Sequence, residues 1–230
     1  MIKYFLPYDI YERHKKVGKL IGKNDSVLDV GGELNQLANF CKPKKIVVVN
    51  LEKSREKSDI VIKKGKLPFG GGSFSTVCAI DVLEHIPPKN RQAFIDDLLR
   101  VAQKKVILSF PLGTRNHLIY EKQLANMLKS KGIDVTYLNQ HLKFGLPSLA
   151  DIKSYIRGKR SSQDFSGDLK ITAILFGIFL FDPQIKFIGK LIYALKLAFN
   201  FLTNPIFYLA LSNQKFSDKV VRAYVTIHKD

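Results

Sequence analysis

The feature that most constrains the fold is a series of short, unbroken apolar runs rich in β-branched residues, which recur through the first 140 residues with an amphipathic stretch between each pair. The runs occupy 26–30, 45–50, 58–62, 76–81 and 105–110. Runs of strand length that stay apolar, rather than alternating with polar residues, are what strands covered on both faces require. The segments at 33–41, near Glu52, at 88–102 and at 118–131 have helical character. In the third, Phe94, Ile95, Leu98, Leu99 and Ala102 recur at helical spacing, and Pro88 stands in the first turn, where its missing N–H is tolerated. Strand, helix, strand in repetition predicts a parallel α/β sheet with helices on both faces.

The chain changes character near residue 140. Ser148 followed by Asp151 reads as an N-cap with an acid in the first turn, opening a helix to about 157. The polar segment 158–168 has room for a short strand. From 171 to 211 the charged residues are Asp182, Lys186, Lys190 and Lys196 alone. The apolar run 171–181 is too short to cross a bilayer, and 197–214 is interrupted by Asn200, Thr203, Asn204 and Pro205, so no membrane span is expected. Between these runs Ile185, Ile188, Leu191, Ile192, Leu195, Phe199 and Leu202 share one helical face, with Lys186, Lys190, Tyr193 and Asn200 opposite. Such a face lies flat in a membrane interface, covers the sheet, or makes a dimer contact. The run 220–227 supplies a closing strand. The expected division is an α/β core over 1–140, a helical acceptor-site or membrane-contact insertion over 141–218, and a final strand over 219–230 returning to the core sheet.

Thirty-seven Lys and Arg against twenty Asp and Glu leave a net charge of +17, which favours an anionic partner: nucleic acid, an acidic lipid surface or a phosphorylated substrate. The excess is spread over both halves, so there is no detachable basic tail. Two cysteines, Cys41 and Cys78, cannot build a disulfide framework and fit a reducing, cytoplasmic compartment. The first ten residues include Lys3, Pro7 and Asp9 and do not read as a signal peptide.

Open parallel sheets bind ligands beyond the carboxyl ends of their strands, at the point where strand order reverses. The first run ends in Val27-Leu28-Asp29-Val30-Gly31-Gly32, the second in Asn50-Leu51-Glu52, and the fourth in Asp81-Val82-Leu83-Glu84-His85-Ile86-Pro87-Pro88. Lys66-Leu67-Pro68-Phe69 precedes Ser73-Phe74, and Leu98-Leu99-Arg100-Val101-Ala102 leads into the fifth run. In this order and at these distances, the segments resemble the class I S-adenosylmethionine-dependent methyltransferases, in particular the methyltransferase-11 type, over roughly residues 10–131.

The resemblance implies a Rossmann-like, mostly parallel seven-stranded sheet with helices on both faces, and an enzyme that uses S-adenosylmethionine. It places Asp29, Gly31 and Gly32 beside the methionine part of the cofactor. Asn50 falls where the family carries the acid that binds the ribose, with Leu51 and Glu52 beside it, and Asp81 and Val82 fall beside the adenine. Glu33 and Asn35 replace the family's second and third glycines, Ser75 replaces a frequent Asp, and Lys63 and Lys64 occupy a region often acidic. Glu33 also reads as an acid favoured at a helix N-terminus. Gly70, Gly71 and Gly72 read as a flexible turn. No Cys/His spacing of the metal-binding kind appears, and no metal dependence is expected.

Methyl transfer from a sulfonium is a displacement at an activated carbon, for which positioning matters most and a general base helps when the acceptor carries a proton. His85 after the fourth run and His117 after the fifth are the candidate bases. Glu121 lies four residues beyond His117, and His141 can reach the same edge of the sheet. Each histidine also reads as a cap or a solvated polar residue. Three functions stay open: a methyltransferase for a small-molecule, glycan or lipid-linked acceptor at the cytoplasmic face of an anionic membrane; an RNA methyltransferase, disfavoured because no Asn/Asp-Pro-Pro-aromatic signature follows the fourth run; and a non-catalytic binding or scaffold protein, motivated by Glu33, Asn35 and Asn50. The acceptor and the oligomeric state are not legible.

Overall fold

A computed structural model describes residues 2–33, 36–50, 60–61, 66–181 and 186–229. Asn35, Leu51, Glu52, Lys63, Lys64 and Ile185, and the short helix expected near Glu52, lie outside the described residues. The strands are β1 (Ser26–Val30), β2 (Lys45–Asn50), β3 (Ile60–Val61), β4 (Phe74–Ile80), β5 (Ala102–Pro111), β6 (Ser161–Ser166) and β7 (Arg222–His228). They form one sheet of order β3-β2-β1-β4-β5-β7-β6, in which β1 to β5 are parallel and β7 runs antiparallel to both β5 and β6. The chain builds outward from β1 to β3, then returns to lay β4 on the other side of β1. Strand order therefore reverses between β1 and β4, and a crevice opens at their carboxyl ends.

The continuous apolar runs are explained by the two faces of this sheet. Leu28, Val77 and Val106 point into one cluster, with Ile95, Leu98 and Val101 of helix α2 (Pro88–Val101). Their chain neighbours Val27, Cys78 and Ile107 point into another, with Val17 of helix α1 (Tyr8–Lys19) and Tyr224 of β7. Successive side chains on a strand face opposite ways, so a sheet with two covered faces needs apolar residues at every position.

Two elements differ from expectation. The stretch 33–41 forms only a 3₁₀ turn at Leu37–Asn39 among its described residues. Asn39 competes for backbone hydrogen bonds, and Pro43 shortly after cannot continue a helix. The short strand for which 158–168 has room is β6, so the range read as a helical insertion also contributes an edge strand, paired with β7. Its sequence, Ser-Ser-Gln-Asp-Phe-Ser, is polar because an edge strand is half solvated, so it gives no apolar run.

The remaining helices are α3 (Arg115–Ser130), α4 (Thr136–Phe144), α5 (Leu149–Tyr155), α6 (Leu169–Leu180) and α7 (Lys186–Leu211). Thr114 caps α3, Ser148 and Asp151 form a reciprocal capping box on α5, and Asp168 caps α6.

By length and composition Ile188–Leu211 is apolar enough to cross a membrane, but one face is fastened to the N-terminal segment. Buried Asn204 donates to the Tyr4 carbonyl at 3.0 Å and the Leu6 carbonyl at 2.9 Å, and Asn200 donates to the Phe5 carbonyl at 3.0 Å. Phe201 stacks on Phe5 with ring centroids 5.2 Å apart. The polar residues that interrupt the apolar pattern are thus the docking face of α7. Asn204→Ala removes both anchors of its amide and leaves two carbonyls short of a donor. We expect a loss of about 2 kcal/mol, read as a lower urea midpoint with an unchanged m-value.

Candidate functional site

The turn after β1 is bare backbone for steric reasons. Gly31 has φ +79°, and a Cβ there would lie 2.5 Å from Cγ2 of Val82. A Cβ on Gly32 would lie 2.2 Å from Oδ2 of Asp29. The Asp29 carboxylate therefore folds directly beneath the turn, where it is 1% exposed and neither oxygen has a hydrogen-bond partner among the described residues. Burial raises its carboxyl to about 7. A buried carboxylate without partners calls for a polar or cationic group to complete it.

The Gly31 N–H donates to the Val49 carbonyl at 2.7 Å, which brings the turn against the end of β2, where Asn50 stands. Glu33 is exposed at the rim of the hollow and accepts a hydrogen bond from the Gln36 side chain, so it does not fill the space. Among the described residues, this turn fits the methionine end of S-adenosylmethionine. The ends of β2 and β3 that would face its ribose and adenine continue into residues outside the description.

Asp81 sits at the end of β4 with φ +55°, a left-handed conformation rare for a residue with a side chain. Both of its oxygens are engaged. Arg13 of α1 donates to Oδ2 at 2.6 Å, and Arg222 of β7 forks across the carboxylate, with Nη2 3.1 Å from Oδ2 and Nη1 on Oδ1. Burial alone would raise the Asp81 carboxyl, but the two guanidinium groups override it and hold it at about 2. The position that the resemblance assigns to cofactor binding thus carries an ion-paired triad. Arg13 and Arg222 do not emerge from the sequence reading, although a lone Arg between Val221 and Ala223 interrupts an apolar strand and is the available signal.

Beyond the turn lies a cavity of about 630 Å³. Its floor is Gly31, Gly32 and Asp81, and its far wall is formed by α6 and α7 through Phe176, Phe179, Phe199 and Asn200. His85, His117, Glu121 and His141 all line it, joined by Glu84, which is 1% exposed.

His117 is buried, its Nδ1 lies 3.0 Å from the Leu112 carbonyl and its Nε2 4.0 Å from Glu121. His141 Nδ1 lies 2.8 Å from the same Glu121 carboxylate, and His85 Nδ1 lies 2.7 Å from Oε1 of Gln140. Because carbonyl and carboxylate oxygens only accept, each Nδ1 carries a proton. Burial lowers the pKa of His117, and burial together with His141 lowers that of His85. The two residues predicted as bases therefore share one cavity, with neutral rings. Glu84 stands beside His85 in the same turn, and His141, expected to reach this edge, joins them from α4.

The triad yields a pH prediction. The folded-state pKa of Asp81 lies below its unfolded value near 3.8, so its stabilisation is complete above that value and is lost as pH falls through about 2. Asp81→Asn leaves buried Arg222 without its counter-charge, and a loss of about 3–5 kcal/mol at pH 7 is expected. The stability difference between variant and parent, measured by chemical denaturation, narrows as pH falls from 4 toward 2.

No family model and no curated protein matches the chain. Among solved structures, a SAM-dependent methyltransferase from Archaeoglobus fulgidus aligns with a TM-score of 0.55 at 10% identity, over 96% of this chain and 94% of that one. A SAM-dependent methyltransferase from Thermotoga maritima, described as a possible histamine N-methyltransferase, aligns with a TM-score of 0.53 at 12% identity, over 100% of this chain and 92% of that one. The MccD protein aligns with a TM-score of 0.51 at 11% identity, over 97% and 96%. The sheet order, the antiparallel β7 and the bare turn after β1 agree with these likenesses: the chain has the class I S-adenosylmethionine-dependent methyltransferase fold.

Proposed function

We propose that the chain is an S-adenosylmethionine-dependent methyltransferase acting on an amphiphilic, small-molecule or lipid-linked acceptor at an anionic membrane surface. The observation that carries this reading is the buried, unpartnered carboxylate of Asp29 beneath a side-chain-free turn that opens on a cavity lined by neutral imidazoles. When bound, the cofactor supplies a methyl group activated by its sulfonium. Gly31 and Gly32 let the backbone approach it, and Asp29 offers its carboxylate to the polar end. His117, held by the Leu112 carbonyl through Nδ1, takes the acceptor's proton at Nε2, and Glu121 stabilises the resulting imidazolium. The aromatic wall from α6 and α7 excludes water from the reacting groups.

The far wall supports this acceptor class. The helix pair that closes the cavity also presents an apolar exterior. Leu191, Leu195, Leu202, Ile206 and Leu209 lie on one stripe of α7, and Leu202, Ile206 and Leu209 are 66%, 64% and 83% exposed. An unpaired apolar stripe on a protein of net charge +17 supports an anionic bilayer as its partner.

Isothermal titration with S-adenosylmethionine is expected to give micromolar binding, abolished in Gly31→Arg, whose side chain would enter the turn against Val82. No binding to the parent chain would leave a non-catalytic scaffold. In liposome flotation the chain is expected to rise with phosphatidylglycerol vesicles and not with neutral ones. Leu202→Glu with Leu209→Glu should leave it at the bottom of the gradient; equal recovery with both vesicle types would refute the docking.

A further inference from the structure

The geometry points to a divalent transition-metal site formed by Glu84, His85 and His141 inside the cavity. Glu84 and His85 come from the 3₁₀ turn Leu83–His85 after β4, and His141 comes from α4, 56 residues further along. One donor atom from each of the three lies within 4.8 Å of the other two. Bonds of about 2.0–2.2 Å to such donors would require each to close in by roughly an ångström. That is side-chain movement on a fixed backbone.

Two buried atoms in the cluster lack any hydrogen-bond partner among the described residues: Oε2 of Glu84 and Nε2 of His141. Glu84 is 1% exposed and His141 7%. Burial and the neighbouring Asp81 carboxylate favour a proton on Glu84; a cation binding there displaces it and completes both atoms together.

The surrounding groups are arranged as they are around metal-binding histidines. Nδ1 of His141 is held by the Glu121 carboxylate at 2.8 Å and Nδ1 of His85 by Gln140 at 2.7 Å, which turns the Nε2 lone pairs to the interior. The backbone is clamped as well. The buried Arg91 guanidinium donates to the Leu83 and Ile86 carbonyls on one side and to the Phe144 and Gly145 carbonyls on the other, locking the turn that carries Glu84 and His85 to the end of α4. Of the nearby arginines, Arg222 forks across Asp81 and Arg13 is shared between Asp81 and Asp9.

Two imidazoles and one carboxylate select a first-row transition ion such as Zn²⁺, Mn²⁺, Fe²⁺ or Co²⁺ over Mg²⁺ and Ca²⁺, which take oxygen ligands. Three protein ligands leave coordination positions open to the cavity, where an acceptor oxygen could be held and its proton made more acidic. That last role rests on the methyltransferase reading; the metal site does not.

The test is a Co²⁺ titration of the full chain after dialysis against chelator, followed by visible d–d absorption, with S-adenosylmethionine calorimetry on the same preparation. A saturable band at one equivalent, displaced by Zn²⁺ and not by Mg²⁺, is expected. His141→Ala and Glu84→Gln should each abolish it, Glu121→Gln should weaken binding about 10- to 100-fold, and His228→Ala, outside the cavity, should leave it unchanged. Thermal midpoints show which variants are folded, and either ligand variant suffices. A parent chain with no band, or a band that survives in both ligand variants, overturns the site. Cofactor binding without a cobalt band removes the metal and leaves the methyltransferase reading; a cobalt band without cofactor binding does the reverse.

Discussion

The ion-paired triad of Asp81, Arg13 and Arg222 fixes the geometry on which the rest of the site depends. It joins the first helix, the central strand and the last strand at the point where strand order reverses. Asp81 holds a left-handed backbone that costs of order 1–3 kcal/mol for a residue with a Cβ. That strain is offset only because the same conformation aims both carboxylate oxygens at the guanidinium groups. The consequences run along the chain in both directions. Val82, the next residue, is set against Gly31 and so shapes the bare turn. The 3₁₀ turn that follows delivers Glu84 and His85 to the cavity.

The sheet was legible because its physics is local. A strand covered on both faces must be apolar throughout, and β1, β2, β4 and β5 stand where such runs occur, with β4 and β5 extending beyond them. The capping box at Ser148 and Asp151 could be read for the same reason, since both partners lie within one turn. What escaped are features made by distant parts of the chain. Asn200 and Asn204 look like flaws in an apolar helix until the N-terminal segment supplies carbonyls for them. His141 and Glu84 become neighbours only when α4 packs on the turn after β4. Nothing in their spacing announces it.

The last part of the chain does two jobs with one pair of helices. The inner surfaces of α6 and α7 close the cavity, while the outer stripe of α7 is apolar and solvent-facing. Lys196 bridges these roles. Its ammonium donates to the Phe179 and Phe181 carbonyls at the end of α6, so the cation satisfies a helix terminus and ties the two helices together.

The direction of the hydrogen bonds around those histidines limits the chemistry further. Each of the three rings has its Nδ1 proton committed to an acceptor: Leu112 for His117, Glu121 for His141 and Gln140 for His85. What faces the cavity is therefore the Nε2 side of each ring, beside Tyr120, Tyr137 and Asn200, which line it too. Such rings can take up a proton or hold a cation. On the proposed reading, an acceptor suited to these rings carries a removable proton on the atom to be methylated, as a hydroxyl or ammonium nitrogen does. Glu121 spans the two ways of meeting that demand. It lies 2.8 Å from His141 and 4.0 Å from His117, so charge gained at either ring is felt by the same carboxylate.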